Sequence, residues 1–97
     1  MDFKVQFQKR ALNDLERLVR HIAHDDPILA ERFGFALVAA TEHRATAPES
    51  GTPYDLRRNL RSFPFGPYRI YYRVIEGSKI IEVLKIWHGM RGRKPKL

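Results

Sequence analysis

The sequence contains no cysteine. That excludes disulfide staples and any thiolate metal site, and it fits a reducing cytoplasm. No apolar run approaches the roughly 20 residues that cross a bilayer. The opening MDFKVQFQKR alternates apolar and polar residues and lacks the apolar centre of a secretion signal. No glycine-rich dinucleotide fingerprint, Walker A sequence or nucleophile elbow occurs. Acidic residues are scarce in one half. Residues 57–97 hold 2 Asp/Glu against 11 Lys/Arg, whereas residues 1–56 hold 9 against 7. The formal charge of +7 therefore sits in the second half. Such a half attracts polyanions or an acidic protein partner.

What is present suits one domain. The chain has 97 residues, 43% of them hydrophobic, enough for a core and too few for two. Phe3, Val5 and Phe7 alternate with polar neighbours, which predicts a first strand over about residues 2–8. The period then changes. Ala11, Leu15, Leu18 and Ile22 form a helical stripe over about 9–25, with Arg10, Asn13, Asp14, Arg17 and Arg20 on the other side. Asp26 and Pro27 supply the N-cap and first turn of a second helix over about 27–46, striped by Leu29, Phe33, Leu37 and Ala40. The joint is so short that the helices are expected to form an antiparallel hairpin.

The stretch APESGTPYD is turn chemistry. Three strands are expected after it, over about 56–63, 67–75 and 79–88, followed by a basic tail over 89–97 whose end is expected to be mobile. The order β-α-α-β-β-β predicts an α+β fold, an antiparallel sheet with the helical hairpin packed on one face.

A sheet covered on one side has a second face free. In YRIYYRV, alternation sends Ile70, Tyr72 and Val74 to the core and Arg69, Tyr71 and Arg73 outward. Arg57 and Arg61 fall on one side of the preceding strand. Trp87 and His88 end the last strand, and Arg91, Arg93 and Lys94 follow. Arginine interleaved with aromatics is the chemistry of single-stranded nucleic acid binding. It is equally the polar cover that an uncovered sheet face needs. Were the face catalytic, Arg61, Arg69 and Arg73 would hold phosphate and His88 would move a proton. The pair His21 and His24, with nearby Asp25 and Asp26, lacks a further ligand, so neither a metal nor another cofactor is expected.

The assembled pattern resembles the RelE/ParE superfamily, toxins of bacterial type II toxin–antitoxin systems, over almost the whole chain. VQFQKRALNDLERLVRHIA is similar to the family's opening strand and helix, and DDPILAERF to its second-helix start. APESG, LRRNLRSFPFGPYRIYYRV and IIEVLKIWHGMR resemble its passage into the sheet and its closing strands. The resemblance implies a cytoplasmic toxin neutralised by a cognate antitoxin that wraps an acidic segment around it. It also implies one of two targets. ParE-like members, associated with plasmid stabilisation, poison DNA gyrase. RelE-like members cleave mRNA on the ribosome. Arg69 matches the strand arginine of the ribonucleases and His88 a histidine that some carry. However, Gly89 follows His88 and no tyrosine lies beyond Tyr72, where many ribonucleases have one. The ParE-like activity is therefore expected over the ribonuclease, with a non-toxic binding relic as the remaining alternative.

Overall fold

In the computed structural model, residues 3–89 and 92–97 are described. Strand β1 (Lys4–Phe7) leads into helix α1 (Lys9–Asp25) and helix α2 (Pro27–Thr46). Four strands follow: β2 (Thr52–Asp55), β3 (Leu60–Phe65), β4 (Tyr68–Ile75) and β5 (Ile80–His88). One residue makes the joint between the helices. The Asp26 amide donates to the Ile22 carbonyl and closes α1, while Asp26 Oδ1 accepts the Leu29 amide at 3.0 Å and opens α2.

The helices cover one face of the sheet. Ala11, Leu37, Ile70, Tyr72 and Val83 are completely buried between the layers. Phe3, Val5, Phe7, Leu15, Leu18 and Phe33 pack around them. Gly34, inside α2, has room for a methyl group, which would meet Val19 in ordinary contact at 3.5 Å. Close backbone approach is therefore not what selects it.

The sheet order is β1-β5-β4-β3-β2, and it is mixed. The three strands β3, β4 and β5 pair antiparallel, as expected, and so does the added β2, but β1 lies parallel to β5, with Val5 opposite Ile81. Alternation predicts which face a strand buries. It carries no information on direction.

The strand expected over 56–63 starts later. Leu56–Arg58 is one 3-10 turn, ended by Asn59 at φ 56°, a left-handed conformation that Asn tolerates. The short β2 occupies part of the stretch read as a turn. Its Pro53 is accommodated because β2 is an edge strand. The strand break expected at PFGP is only two residues long. Gly66, at φ 57°, and Pro67 form the hairpin turn between β3 and β4.

Two polar devices hold the layers. β1 ends opposite Val83, so the edge of β5 is bare beyond that point. α1 crosses there. Asp14 Oδ2 accepts the Ile86 amide at 3.1 Å, and Oδ1 accepts from Lys85 Nζ at 3.0 Å. Asp14 is 2% exposed, which corrects its assignment to the solvent side of α1. The second device fastens the loop after α2. The Tyr72 hydroxyl accepts the Gly51 amide at 3.0 Å and donates to the Pro48 carbonyl at 2.8 Å.

Candidate functional site

β4 positions the outer-face residues. Arg69 lies between Pro64 of β3 and Trp87 of β5, Tyr71 between Ser62 and Lys85, and Arg73 between Leu60 and Glu82. Directly paired residues share a face. The same registers put Arg61 opposite Tyr72 and His88 opposite Tyr68, both on the helix side. The four residues assigned to a phosphate-cleaving set are thus divided two and two between the faces of the sheet.

Each has its own local partner. Arg69 donates to Ser62 Oγ at 2.8 Å. Arg73 is ion-paired with Glu82 at 2.7 Å, a direct cross-strand pair. Arg61 donates to the Glu49 and Gly51 carbonyls at 3.1 and 3.0 Å, so it braces the loop that Tyr72 also fastens. His88 packs edge-on against Tyr68, with ring centroids 5.3 Å apart. It lines a cavity of about 310 Å³ on the helix side together with Asp14, Arg17 and His21. Arg57 is exposed in the 3-10 turn. Arg91 lies outside the described residues.

The outer face is not bare, and this corrects the expectation of a free face. Residues 92–97 run back across it. Trp87 Nε1 donates to the Arg93 carbonyl at 3.0 Å, and the Tyr54 hydroxyl to that of Pro95 at 3.4 Å. Arg10 donates to the Lys96 carbonyl at 2.8 Å and Arg58 to that of Leu97 at 3.0 Å. Pro95 is buried, Tyr71 is 5% exposed and Trp87 9%. Tyr54 meets Tyr71 edge-on at 4.9 Å. Two large aromatics on one sheet face favour such a cover, because each removes a large apolar area from water.

A cavity of about 320 Å³ remains between the tail and the sheet. Arg69, Tyr71, Trp87, Gly89, Gly92, Arg93 and Lys94 line it. Three of these are cations and none is a carboxylate, so the lining suits an anion. Of these, alternation along β4 points Arg69 and Tyr71 to this face. Nothing in the local pattern signals that Arg10, Tyr54 and Arg58 hold the tail, since their partners lie far away along the chain. Asp14 was equally hidden, since a carboxylate on a helix reads as solvated.

Burial pushes the Tyr71 hydroxyl pKa above its ordinary 10.0, and the neighbouring Tyr54 adds to the rise while Arg69 opposes it. Burial also raises Tyr72, against the lowering effect of the Gly51 hydrogen bond and of Arg44 and Arg61. Both therefore stay protonated at neutral pH and neither is a ready base. The linkage sign follows. Folding favours the neutral phenols, so this stability is fully present below the unfolded value near 10 and is lost as pH rises through the raised folded values. In an alkaline titration, phenolate absorbance for two of the four tyrosines should lag that of the urea-unfolded chain. Phenolate absorbance that tracks the unfolded chain's throughout would contradict this.

Among the described residues no group of three or more His, Cys, Asp or Glu could hold a metal ion. No helix there is long and apolar enough to cross a membrane.

A helical hairpin on a five-stranded mixed sheet, with a basic outer face, defines a small α+β domain. Residues 5–92 match the family described as the ParE toxin of the type II toxin–antitoxin system parDE, and the chain belongs to that family. It is 36% identical over 95 residues to a Caulobacter vibrioides protein called Toxin RelE1, covering 96% of this chain and 100% of that one. Its fold is similar to a chain of the chromosomal ParDE system from P. aeruginosa, at a TM-score of 0.75 and 19% identity, covering 89% of this chain and 95% of that one. It is also similar to a chain of the E. coli RelBE toxin–antitoxin complex, at a TM-score of 0.61 and 18% identity, covering 92% and 99%. The chain is thus a RelE/ParE superfamily toxin.

Proposed function

We propose that this toxin arrests growth by binding DNA gyrase in the cytoplasm, acting through a protein interface and not as an enzyme, and that a cognate antitoxin silences it. The observation that carries this reading is the division of Arg61 and His88 from Arg69 and Arg73 by the sheet. Cleavage through a 2′-hydroxyl needs a base, an acid and a cation around one phosphate. Two groups on each face cannot surround one. Burial holds Tyr71 and Tyr72 in the neutral form, so neither stands in for His88 as a base. The basic segment from His88 to Lys96 is the gyrase contact in this reading.

The second reading, a ribosome-dependent mRNA endoribonuclease, draws on the cavity holding Arg69, Arg93 and Lys94 and on the name of the Caulobacter relative. The experiment runs both assays on one preparation. Purified chain should inhibit gyrase supercoiling, and primer extension after induction should find mRNA intact. New mRNA cuts that vanish in both Arg69→Ala and His88→Ala, with gyrase unaffected, would replace the first reading by the second. Co-expression with the gene beside it should restore growth if that gene encodes the antitoxin.

A further inference from the structure

Helix α2 is apolar on more than its core side. Ala30, Leu37, Thr41 and Ala45 are buried against the rest of the fold. At about 3.6 residues per turn, Ile28, Phe35 and Ala39 fall on the opposite side. Ile28 is 68% exposed and Phe35 69%, and Ala36 and Ala39 are exposed as well. A surface helix ordinarily keeps that side polar. The basic tail lies on the other side of the sheet, so it does not cover this one.

The apolar stripe is edged by charge of both signs in a fixed order. Glu31 precedes Arg32, and Glu42 precedes His43. A helix turns about 100° per residue, so the two members of each pair stand on different flanks of the stripe. Glu31 and Glu42 share one flank; Arg32 and His43 share the other. Phe35 and Ala36 repeat the order in bulk, with the large side chain on the carboxylate flank and the small one on the basic flank. All six residues are exposed, and among the described residues none of the four polar side chains makes an ion pair. A two-fold axis parallel to α2 would set each flank against the opposite flank of a second copy, level by level. Glu31 would then meet Arg32, Phe35 would meet Ala36, and Glu42 would meet His43, each contact made twice. An antiparallel pair would instead oppose Glu31 to Glu42 and Arg32 to His43.

We propose that this protein forms a homodimer through a parallel contact between the outer faces of α2. A second copy is the occupant because the face complements itself in charge and in bulk. The arrangement also keeps the basic surfaces apart. Arg69, Arg93 and Lys94 line the far side of the sheet, and in the dimer those two sides point away from each other. The dimer thereby presents two copies of the basic face at its opposite ends. One helix from each copy makes a small interface, under the roughly 1,200 Å² of standard complexes, so the expected Kd is about 10–100 μM.

Sedimentation equilibrium of the full chain across that range should show the mass rising from 11.4 kDa toward twice that value. Phe35→Glu, at an exposed position, should leave the urea midpoint unchanged and weaken association about 10-fold or more. Glu31→Arg should weaken it several-fold. Adding Arg32→Glu to that variant should restore it, because exchanging both flanks keeps them complementary. The chain has no cysteine, so one introduced thiol reports the geometry. Ala39→Cys lies on the two-fold seam and should form a disulfide-linked dimer under mild oxidation, faster than Ser78→Cys in the exposed turn between β4 and β5. A chain that stays monomeric throughout the range overturns the proposal. So does a dimer that Phe35→Glu leaves intact, a double variant no better than Glu31→Arg alone, or Ala39→Cys linking no faster than Ser78→Cys. None of these readouts involves gyrase or an antitoxin, so failure here and failure of the gyrase reading are separate results.

Discussion

Asp14→Ala is expected to be the most damaging single substitution outside the apolar core. Removing one partner of a buried, hydrogen-bonded charge pair typically costs about 3–5 kcal/mol, because the other charge stays buried without its counterion. Here the loss is compounded. Lys85, whose side chain is 19% exposed, loses the oxygen at 3.0 Å. The Ile86 amide loses its acceptor at a point where β1 no longer covers the edge of β5. Urea denaturation should show a lower midpoint with an unchanged slope. Native-state hydrogen exchange should show the Ile86 amide opening far more readily than Ile81, which stays paired with β1. Two controls separate charge from hydrogen bond. Asp14→Asn keeps an acceptor for Ile86 and should lose less. Adding Lys85→Met to Asp14→Ala removes the stranded cation and should recover part of the loss. If Asp14→Ala unfolds at the wild-type midpoint, the bond across to β5 contributes nothing. The consequence reaches the outer face, because the same end of β5 carries Trp87, the anchor of the tail.

Gly51→Ala should rank next, at about 3 kcal/mol of lost stability through overpacking. The backbone is not the obstacle: Gly51 sits at φ −75°, where any residue is comfortable. The obstacle is space. A β-carbon there would stand 2.4 Å from the Tyr72 hydroxyl, 2.9 Å from Cε1 of the same ring and 3.0 Å from the Ser62 carbonyl. Tyr72 is wholly buried and cannot swing away. Tyr72→Phe alone should cost about 1–3 kcal/mol, since it strands the Gly51 amide and the Pro48 carbonyl. The double variant gives the decisive comparison. With the hydroxyl gone the worst overlap is relieved, so the two losses should fall short of additive by about 1 kcal/mol or more. Strict additivity would mean that the Gly51 requirement has another source.

The helices show how far local pattern reaches. Leu15, Leu18, Phe33 and Leu37 recur at helical spacing, and Asp26 followed by Pro27 is a capping signal that works within a few residues. Both helices are therefore legible without a structure. The outer face is a mixed case. Arg69 and Tyr71 point where alternation sends them. Arg61 does not, because the 3-10 turn and left-handed Asn59 start β3 afresh and set its phase independently of Arg57. A further shift lies between Tyr71 and Tyr72 in their pairing with β5, where Leu84 is an extra residue. It keeps Val83 and Ile86 both in the core although they are an odd number of residues apart.

By itself the sequence determined the periods of each element, the core-facing set on β4, the helical hairpin and the concentration of positive charge in residues 57–97. These are properties of neighbours in the chain, fixed by side-chain spacing and by the backbone preferences of Asp, Pro and Gly. The tertiary structure alone decided that β1 runs parallel beside β5, that Arg61 and His88 turn away from Arg69 and Arg73, and that the tail lies across the outer face. Each of those depends on groups brought together from far apart. Arg10 finds the Lys96 carbonyl across 86 positions and Asp14 the Ile86 amide across 72. A hydrogen bond's free energy is set by geometry at contact, and no spacing rule along the chain encodes which distant groups will meet.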